Sequence, residues 1–175
     1  MDITYNEWGM GYIYLINNCR RQKNDETEFK KINYTLKPDN NLGHQLNKLN
    51  WPDKRYVEAR DEDFIEEFQN DLDNNLYIKG IEFDMNSEKF NNMIDNYQIK
   101  SFKIEDNQYY CISFAAEKEI FKPENHIYAF SKKQDAFAIF NLKEQTSYKI
   151  AFFKALIFKE DSPYNIEYFK TLKVY

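Results

Sequence analysis

Alternating apolar and polar residues in the second half of the chain constrain its fold more than any other feature. We interpret the stretches 99–104 and 109–114 as following this period of two, and Glu105-Asp106-Asn107-Gln108 separates them. Successive side chains of a strand point to opposite faces, so a period of two predicts two strands. Asp and Asn tolerate the positive φ angles of tight hairpin turns. The pattern therefore predicts a β-hairpin over residues 99–114.

Several other short runs are rich in β-branched and aromatic residues, which is typical of strands. These runs are 11–16, 32–36, 76–84, 126–130, 136–142, 147–158 and 164–175. The run 147–158 contains Ala151 and Ala155, which would also suit a buried helix, so both assignments stay open for it. The last run, 164–175, is expected to complete the sheet.

Two segments in the middle of the chain have apolar residues at helical spacing. The first follows the acids at 61–63, and Asp63 with Glu66 resembles a capping box; its apolar positions are Phe64, Ile65, Phe68 and Leu72. The second has Ser87 as its predicted N-cap, and its apolar positions are Phe90, Met93, Ile94 and Tyr97. Strands and helices together predict an α+β fold, with a mostly antiparallel sheet and two or more helices packed on it.

The length of 175 residues fits one domain, which is predicted to span residues 1–175. With 15 Phe, 14 Tyr and 2 Trp, the core is expected to consist largely of aromatic rings, each of which can bury roughly 150–250 Å². A chain of this size needs no disulfide or metal to hold its core. Cys19 and Cys111 lack a paired spacing, so we expect two free thiols in a reducing compartment.

The protein is expected to act in the cytoplasm, without a membrane-spanning segment. Its first residues lack the basic and apolar regions of a secretory signal. Its most apolar run, 150–158, is interrupted by Lys154 and is far shorter than the roughly 20 residues that cross a bilayer. The net charge of −5 argues against direct nucleic-acid binding, in which basic residues neutralise phosphates. An acidic surface instead attracts basic proteins.

No catalytic, cofactor-binding or metal-binding motif can be recognised in the sequence. His44 and His126 are the only histidines, and neither lies in a known nucleophile motif. The four glycines do not form a phosphate-binding loop, and the acids at 61–63 do not follow the spacing of a calcium-binding loop. The sequence therefore predicts a non-enzymatic protein that carries no cofactor.

The segment 61–73 is strongly acidic, and no Lys or Arg occurs between Asp61 and Ile78. Like charges four residues apart on a helix are destabilising by about 0.2–0.5 kcal/mol, and no basic residue relieves them here. We interpret the segment as an acidic docking surface for a cationic partner, the ordinary alternative being a solvated helix face. A nearby Trp could anchor that partner, or it could be a packing residue. The predicted partner-binding residues are Asp61, Glu62, Asp63, Glu66, Glu67, Asp71, Asp73 and Trp51.

About a third of the chain resembles bacterial polymorphic-toxin immunity proteins. The resemblance lies in the order of Asp63-Phe64-Ile65, Ser87-Glu88-Lys89-Phe90, the strand at 99–104 and Tyr109-Tyr110. It implies a protein that binds a cognate toxin and blocks its active site or substrate groove. The leading hypothesis is therefore an immunity or inhibitor protein, as in toxin–antitoxin pairs, that neutralises a basic toxin or nuclease.

Two alternatives to this hypothesis stay open. An enzyme could assemble its site from scattered residues, such as His126 with Glu124, without leaving a linear motif. A viral or phage protein could block a host factor by the same electrostatic attraction. A large concave pocket with a perturbed titratable group would favour the enzyme, whereas a flat or convex acidic face would favour a binding protein.

Overall fold

The computed structural model describes residues 1–17, 30–33, 37–38, 72–120, 125–129, 131–133, 135–145 and 148–175. Within these ranges the strands are β1 (Asp2–Tyr5), β2 (Met10–Tyr14), β3 (Lys30–Asn33), β4 (Lys37–Pro38), β5 (Gly80–Asp84), β6 (Gln98–Ile104), β7 (Asn107–Ser113), β8 (Asn125–Ala129), β9 (Ala136–Gln145), β10 (Tyr148–Lys159) and β11 (Thr171–Val174). The helices are α1 (Ser87–Asp95), α2 (Glu117–Ile120) and α3 (Ile166–Phe169).

The strands form two sheets, which we call sheet A and sheet B. Sheet A has five strands in the order β3-β11-β1-β2-β5, and sheet B has six in the order β4-β6-β7-β10-β9-β8. Neighbouring strands are antiparallel except for two pairs, β1 with β11 and β4 with β6, which are parallel. Strand β1 lies between β2 and β11, so the start of the chain pairs with its end.

Apolar side chains from both sheets and from α1 form one core. Sheet A contributes Ile3, Ile13, Ile81 and Leu172, α1 contributes Phe90, Met93 and Ile94, and sheet B contributes Ile99, Ile112, Phe140, Phe153, Leu156 and Phe158. A second cluster occupies the other face of sheet B, with Phe102, Cys111, Phe137, Ile139 and Ile157 among its members. Sheet B is therefore buried on both faces, whereas sheet A has only one face in the core.

The described residues form a mostly-β fold, so the predicted α+β class with two or more packed helices is wrong. Only α1 among the described helices is longer than a single turn. The run 147–158, for which a helix was left open, is strand β10, and Ala155 is buried in the second cluster of sheet B. The physical reason is that sheet A and one face of sheet B pack around one shared core, to which α1 alone of the longer helices contributes among the described residues.

The predicted hairpin and the second predicted helix are both present. Strands β6 and β7 pair across a two-residue turn, with Ile104 opposite Asn107. Helix α1 buries the predicted apolar positions Phe90, Met93 and Ile94. Its N-cap is Asn86 rather than Ser87, since the side chain of Asn86 accepts a hydrogen bond from the backbone N–H of Lys89 at 2.9 Å.

Two further differences concern the ends of the predicted elements. The first predicted helix lies outside the described residues except for Leu72, which forms an isolated antiparallel bridge with Ile78. The final run, 164–175, contains α3 before the short strand β11. Strand β1, which the sequence pattern did not predict, pairs with both β2 and β11 in the middle of sheet A.

Candidate functional site

The predicted acidic docking surface lies almost wholly outside the described residues. This holds for Asp61, Glu62, Asp63, Glu66, Glu67, Asp71 and Trp51. Asp73 is described, and its carboxylate Oδ1 accepts hydrogen bonds from the N–H groups of Asn75 at 2.8 Å and Tyr77 at 2.9 Å. This carboxylate thus holds the turn that leads towards β5, and its role in partner binding stays a prediction.

A buried polar network lies close to this turn. The Tyr77 hydroxyl donates to both carboxylate oxygens of Asp135, at 2.9 Å and 2.7 Å, and the Ser131 hydroxyl also donates to Asp135. The Asp135 N–H in turn donates to Ser131 Oγ at 3.0 Å. Burial together with the Asp135 carboxylate raises the pKa of Tyr77 to about 12.

This network resembles the environment of an activated hydroxyl, but it is closed to substrates. Ser131 is 0% exposed and Asp135 is 6% exposed, so no ligand could reach the Ser131 hydroxyl in this conformation. The network instead ties the start of β9 to the segment before β5. Nor does the described part of the chain gather three or more His, Cys, Asp or Glu side chains in a possible metal site.

The most exposed apolar side chains of the described residues lie at the β1–β2 hairpin. Trp8 is 77% exposed and Met10 is 51% exposed. Single exposed apolar residues are common on protein surfaces. Two neighbouring ones at a hairpin, one of them a Trp, make a more specific arrangement, because Trp is enriched at the energetic centres of protein interfaces.

The loop that carries Trp8 is held by hydrogen bonds on both sides. Asn6 Oδ1 accepts from the N–H groups of Trp8 at 3.1 Å and Met10 at 3.0 Å. Gly9 has a φ of 92°, which L side chains rarely adopt, and its carbonyl accepts from the Met85 N–H at 2.9 Å. The backbone below Trp8 is therefore ordered before any partner arrives.

The strands beside this loop present a face that points away from the core, which we call the outer face. Strand register defines it, because Ile13 and Ile81 are paired and buried, so the alternate positions must point outwards. On β2 and β5 the outer face consists of Met10 opposite Asp84, Tyr12 opposite Glu82, and Tyr14 opposite Gly80. Glu82 and Asp84 are exposed.

The absence of a side chain at Gly80 makes room for an aromatic ring on the outer face. A Cβ atom at Gly80 would lie 2.1 Å from Tyr12 Cε1, so the Tyr12 ring lies directly over this glycine. The ring of Tyr14 packs against that of Tyr12, with ring centroids 4.6 Å apart and an interplanar angle of 53°. The two rings form a half-exposed aromatic column beside the two carboxylates of β5.

The charge near the hairpin is predominantly acidic. Glu7 is exposed next to Trp8 in the loop, and neither β2 nor β5 contains a Lys or Arg. Further into sheet A the outward positions also carry a base, since exposed Lys173 of β11 lies opposite Asp2 of β1. The part of the sheet that carries Trp8 thus combines apolar contact area with negative charge.

The sequence prediction selected Trp51 and missed Trp8. The run Asn6-Glu7-Trp8-Gly9 lies between two short runs that contain β-branched and aromatic residues. Asn and Gly at these positions are a turn signal, which would have placed a Trp at the tip of a hairpin had Asp2–Tyr5 been predicted as a strand.

Comparisons with known proteins do not assign the chain. No protein-family model, curated protein or solved structure matches it significantly. In the described residues, none of the helices has both the length and the apolar character needed to cross a membrane. Any assignment of function must therefore come from the residues of this chain.

Proposed function

We propose that this protein is a non-enzymatic binding protein whose partner is a basic protein, and that it neutralises a toxin or nuclease. The observation that carries the proposal is the 77% exposure of Trp8 on an ordered loop, beside exposed Met10 and exposed acidic side chains. An apolar anchor supplies contact area, and surrounding carboxylates attract a cationic partner and exclude acidic ones.

Order in the loop favours binding as well. Immobilising a flexible side chain or loop at an interface costs about 0.5–1.5 kcal/mol per rotamer-rich side chain. Because Asn6, Gly9 and Met85 already hold the backbone at Trp8, part of this cost is met during folding. Electrostatic attraction then acts mainly on the rate of encounter, and the anchor acts on the lifetime of the complex.

We place the action of the protein in the cytoplasm. Cys111 is a free thiol and is buried in the second cluster of sheet B, which fits a compartment where disulfides are not formed. The net charge of −5 supports a basic protein, rather than nucleic acid, as the partner.

The experiment compares proteins captured by the wild type, by Trp8→Ala and by Asp106→Ala, each immobilised at equal density. Asp106 is exposed in the β6–β7 turn of sheet B, so its variant controls for a substitution in a surface turn. We expect a stoichiometric basic protein on the wild type and on Asp106→Ala, and at least a tenfold loss on Trp8→Ala. Equal capture by all three proteins, or capture of an acidic protein that resists salt, would contradict the proposal.

A further inference from the structure

The outer face of β2 and β5 consists of two parallel columns of side chains. Met10, Tyr12 and Tyr14 form the aromatic and apolar column on β2, and Asp84 and Glu82 form the acidic column on β5. Positions two residues apart on a strand are separated by roughly 6.4–6.8 Å, since each residue advances the strand by about 3.2–3.4 Å. The two carboxylates therefore repeat with the period of side chains on one face of any extended chain.

The chemistry of the two columns suits a positively charged side chain. A guanidinium or ammonium group is attracted to the face of a Tyr ring, and more strongly when a carboxylate lies on its other side. Tyr12 is paired with Glu82 and its ring lies over Gly80, the next outward position of β5, while Met10 with Asp84 offers an apolar contact and a carboxylate. Neither carboxylate forms an ion pair among the described residues.

We propose that the segment of the partner bound here is extended and carries Lys or Arg at alternate positions. It lies along β2 and β5, with its cationic side chains between the aromatic column and the acidic column and an apolar side chain against Trp8. This inference rests on the proposed function, and it adds the conformation and the charge pattern of the partner segment. Charge complementarity selects this occupant, since β5 contains two acids and neither β2 nor β5 contains a base.

The test uses synthetic peptides of one composition and two orders. One nine-residue peptide has three Arg alternating with Ser, and its isomer has the three Arg consecutive. Both are labelled and titrated with the full chain, and binding is followed by fluorescence anisotropy at low and at high salt. We expect the alternating peptide to bind at least fivefold more tightly than its isomer, because only alternating Arg side chains match the spacing of Glu82 and Asp84. Equal affinities within a factor of two would overturn the inference.

Variants locate the binding on the outer face. Glu82→Gln with Asp84→Asn removes two charges from the acidic column, and Glu105→Gln with Asp106→Asn removes the same two charges from the exposed turn of sheet B. We expect Glu82→Gln with Asp84→Asn to lower the affinity for the alternating peptide about fivefold. Glu105→Gln with Asp106→Asn should change this affinity by less than a factor of two. If both pairs weaken binding equally, the attraction is diffuse and the inference is wrong. Thermal melting monitored by circular dichroism confirms that each variant is folded.

The outcomes separate this inference from the proposed function. If the partner is captured through Trp8 but the alternating peptide has no preference over its isomer, the binding function stands and the extended basic segment is rejected. If the peptide prefers the outer face but Trp8→Ala captures the partner as well as the wild type, the cation-binding columns stand, and the proposed role of Trp8 is rejected.

Discussion

At the scale of single residues, two glycines determine where the aromatic rings of sheet A lie. On the outer face, the Tyr12 ring covers Gly80, and on the inner face the Phe83 ring covers Gly11, where a Cβ atom would lie 2.2 Å from Phe83 Cζ. Phe83 then stacks with Phe90 of α1 at a centroid distance of 5.9 Å. A ring packed over a glycine of the neighbouring strand shields the backbone there and compensates for the missing side chain.

The first prediction is that Gly11→Ala destabilises the fold by about 1–3 kcal/mol, the range observed when a packed interior receives an extra group. The new methyl group would also lie 2.6 Å from the Thr4 carbonyl oxygen, and backbone cannot move aside as easily as a side chain. Chemical denaturation with urea measures the change. The control is Glu82→Ala, an exposed position on the neighbouring strand. If Gly11→Ala lowers the free energy of unfolding no more than this control does, the Phe83 ring moves aside without cost.

The buried Tyr77 makes stability depend on pH at the alkaline end. Its pKa is raised from 10.0 to about 12 because burial and Asp135 both disfavour the tyrosinate. The neutral form is therefore favoured by folding, so its contribution is complete below pH 10 and is lost as the pH rises through 12. Tyr109, Tyr110 and Tyr164 have raised pKa values for the same main reason, desolvation.

The second prediction concerns Tyr77→Phe. At pH 7 it should destabilise the fold by about 1–3 kcal/mol, because Asp135 loses a buried hydrogen-bond donor. Between pH 10 and 12 its stability should fall less steeply than that of the wild type, because one group with a raised pKa has been removed. Urea denaturation at several pH values measures both effects. An unchanged alkaline slope would mean that Tyr77 does not titrate in the way its burial predicts.

At the scale of elements, the β6–β7 hairpin shows how a turn tolerates an unfavourable residue. Glu105 occupies the first turn position with a φ of 53°, and Asp106 does not have a positive φ. The sequence prediction expected the positive φ at Asp or Asn, so it identified the hairpin correctly but not the residue. A positive φ at the first position alone is the pattern of a type II′ turn, which prefers Gly there. Pairing over the whole length of the two strands outweighs this local cost.

The third prediction follows from the positive φ of Glu105, which Asp106 does not share. Glu105→Gly should stabilise the protein, or leave it unchanged within about 1 kcal/mol, because relief of the left-handed backbone offsets the greater freedom of Gly in the unfolded chain. Asp106→Gly should destabilise the protein by roughly 0.5–1 kcal/mol, since it adds the freedom of Gly in the unfolded chain and relieves no left-handed backbone. The thermal midpoint of Asp106→Gly should therefore lie below that of Glu105→Gly, and equal decreases in the midpoint for both variants would exclude a strained Glu105.

The fourth prediction distinguishes the two possible caps of α1. Asn86→Ala should cost about 1 kcal/mol, because the Lys89 N–H would lose the acceptor at 2.9 Å. Ser87→Ala should be nearly neutral, since Ser87 is the first residue inside the helix and is exposed. Urea denaturation of both variants measures these changes in the free energy of unfolding. A larger decrease for Ser87→Ala would show that Ser87 is the N-cap, as the sequence predicted.

At the scale of the whole molecule, the two sheets depend on a shared core. Phe158 of β10 packs against Phe169 of α3 and against Tyr164, at centroid distances of 5.5 Å and 5.4 Å. The Tyr164 hydroxyl also donates to the Ile78 carbonyl at 3.0 Å, close to the start of β5. Contacts of this kind join sheet B to sheet A through side chains far apart in sequence.

The fifth prediction is that the two sheets unfold together. Leu156→Ala, in the shared core within sheet B, should lower the stability by about 2–5 kcal/mol while leaving a single calorimetric transition. Gly11→Ala in sheet A should shift that same transition. A second transition in either variant would show that the sheets are separate folding units, contrary to the predicted single domain.

Much of the architecture could be predicted where the pattern is local. The alternation at 99–114 and the helical spacing from Phe90 to Tyr97 correspond to β6, β7 and α1, because each depends on contacts between near neighbours in the chain. The overall class could not be predicted, because the coverage of a strand by another sheet or by a helix is not encoded in its own periodicity. The candidate site was missed for a related reason, since the exposure of Trp8 depends on β1 being a strand.

The aromatic core, the acidic charge, the β6–β7 hairpin and the apolar face of α1 follow from the sequence alone, because these properties belong to single residues or to short-range spacing. Tertiary packing places β1 between β2 and β11, buries both faces of sheet B, and makes Tyr12 and Glu82 neighbours on the outer face. These relations join residues far apart in the chain, and they depend on how complete faces pack together rather than on the preference of any one segment.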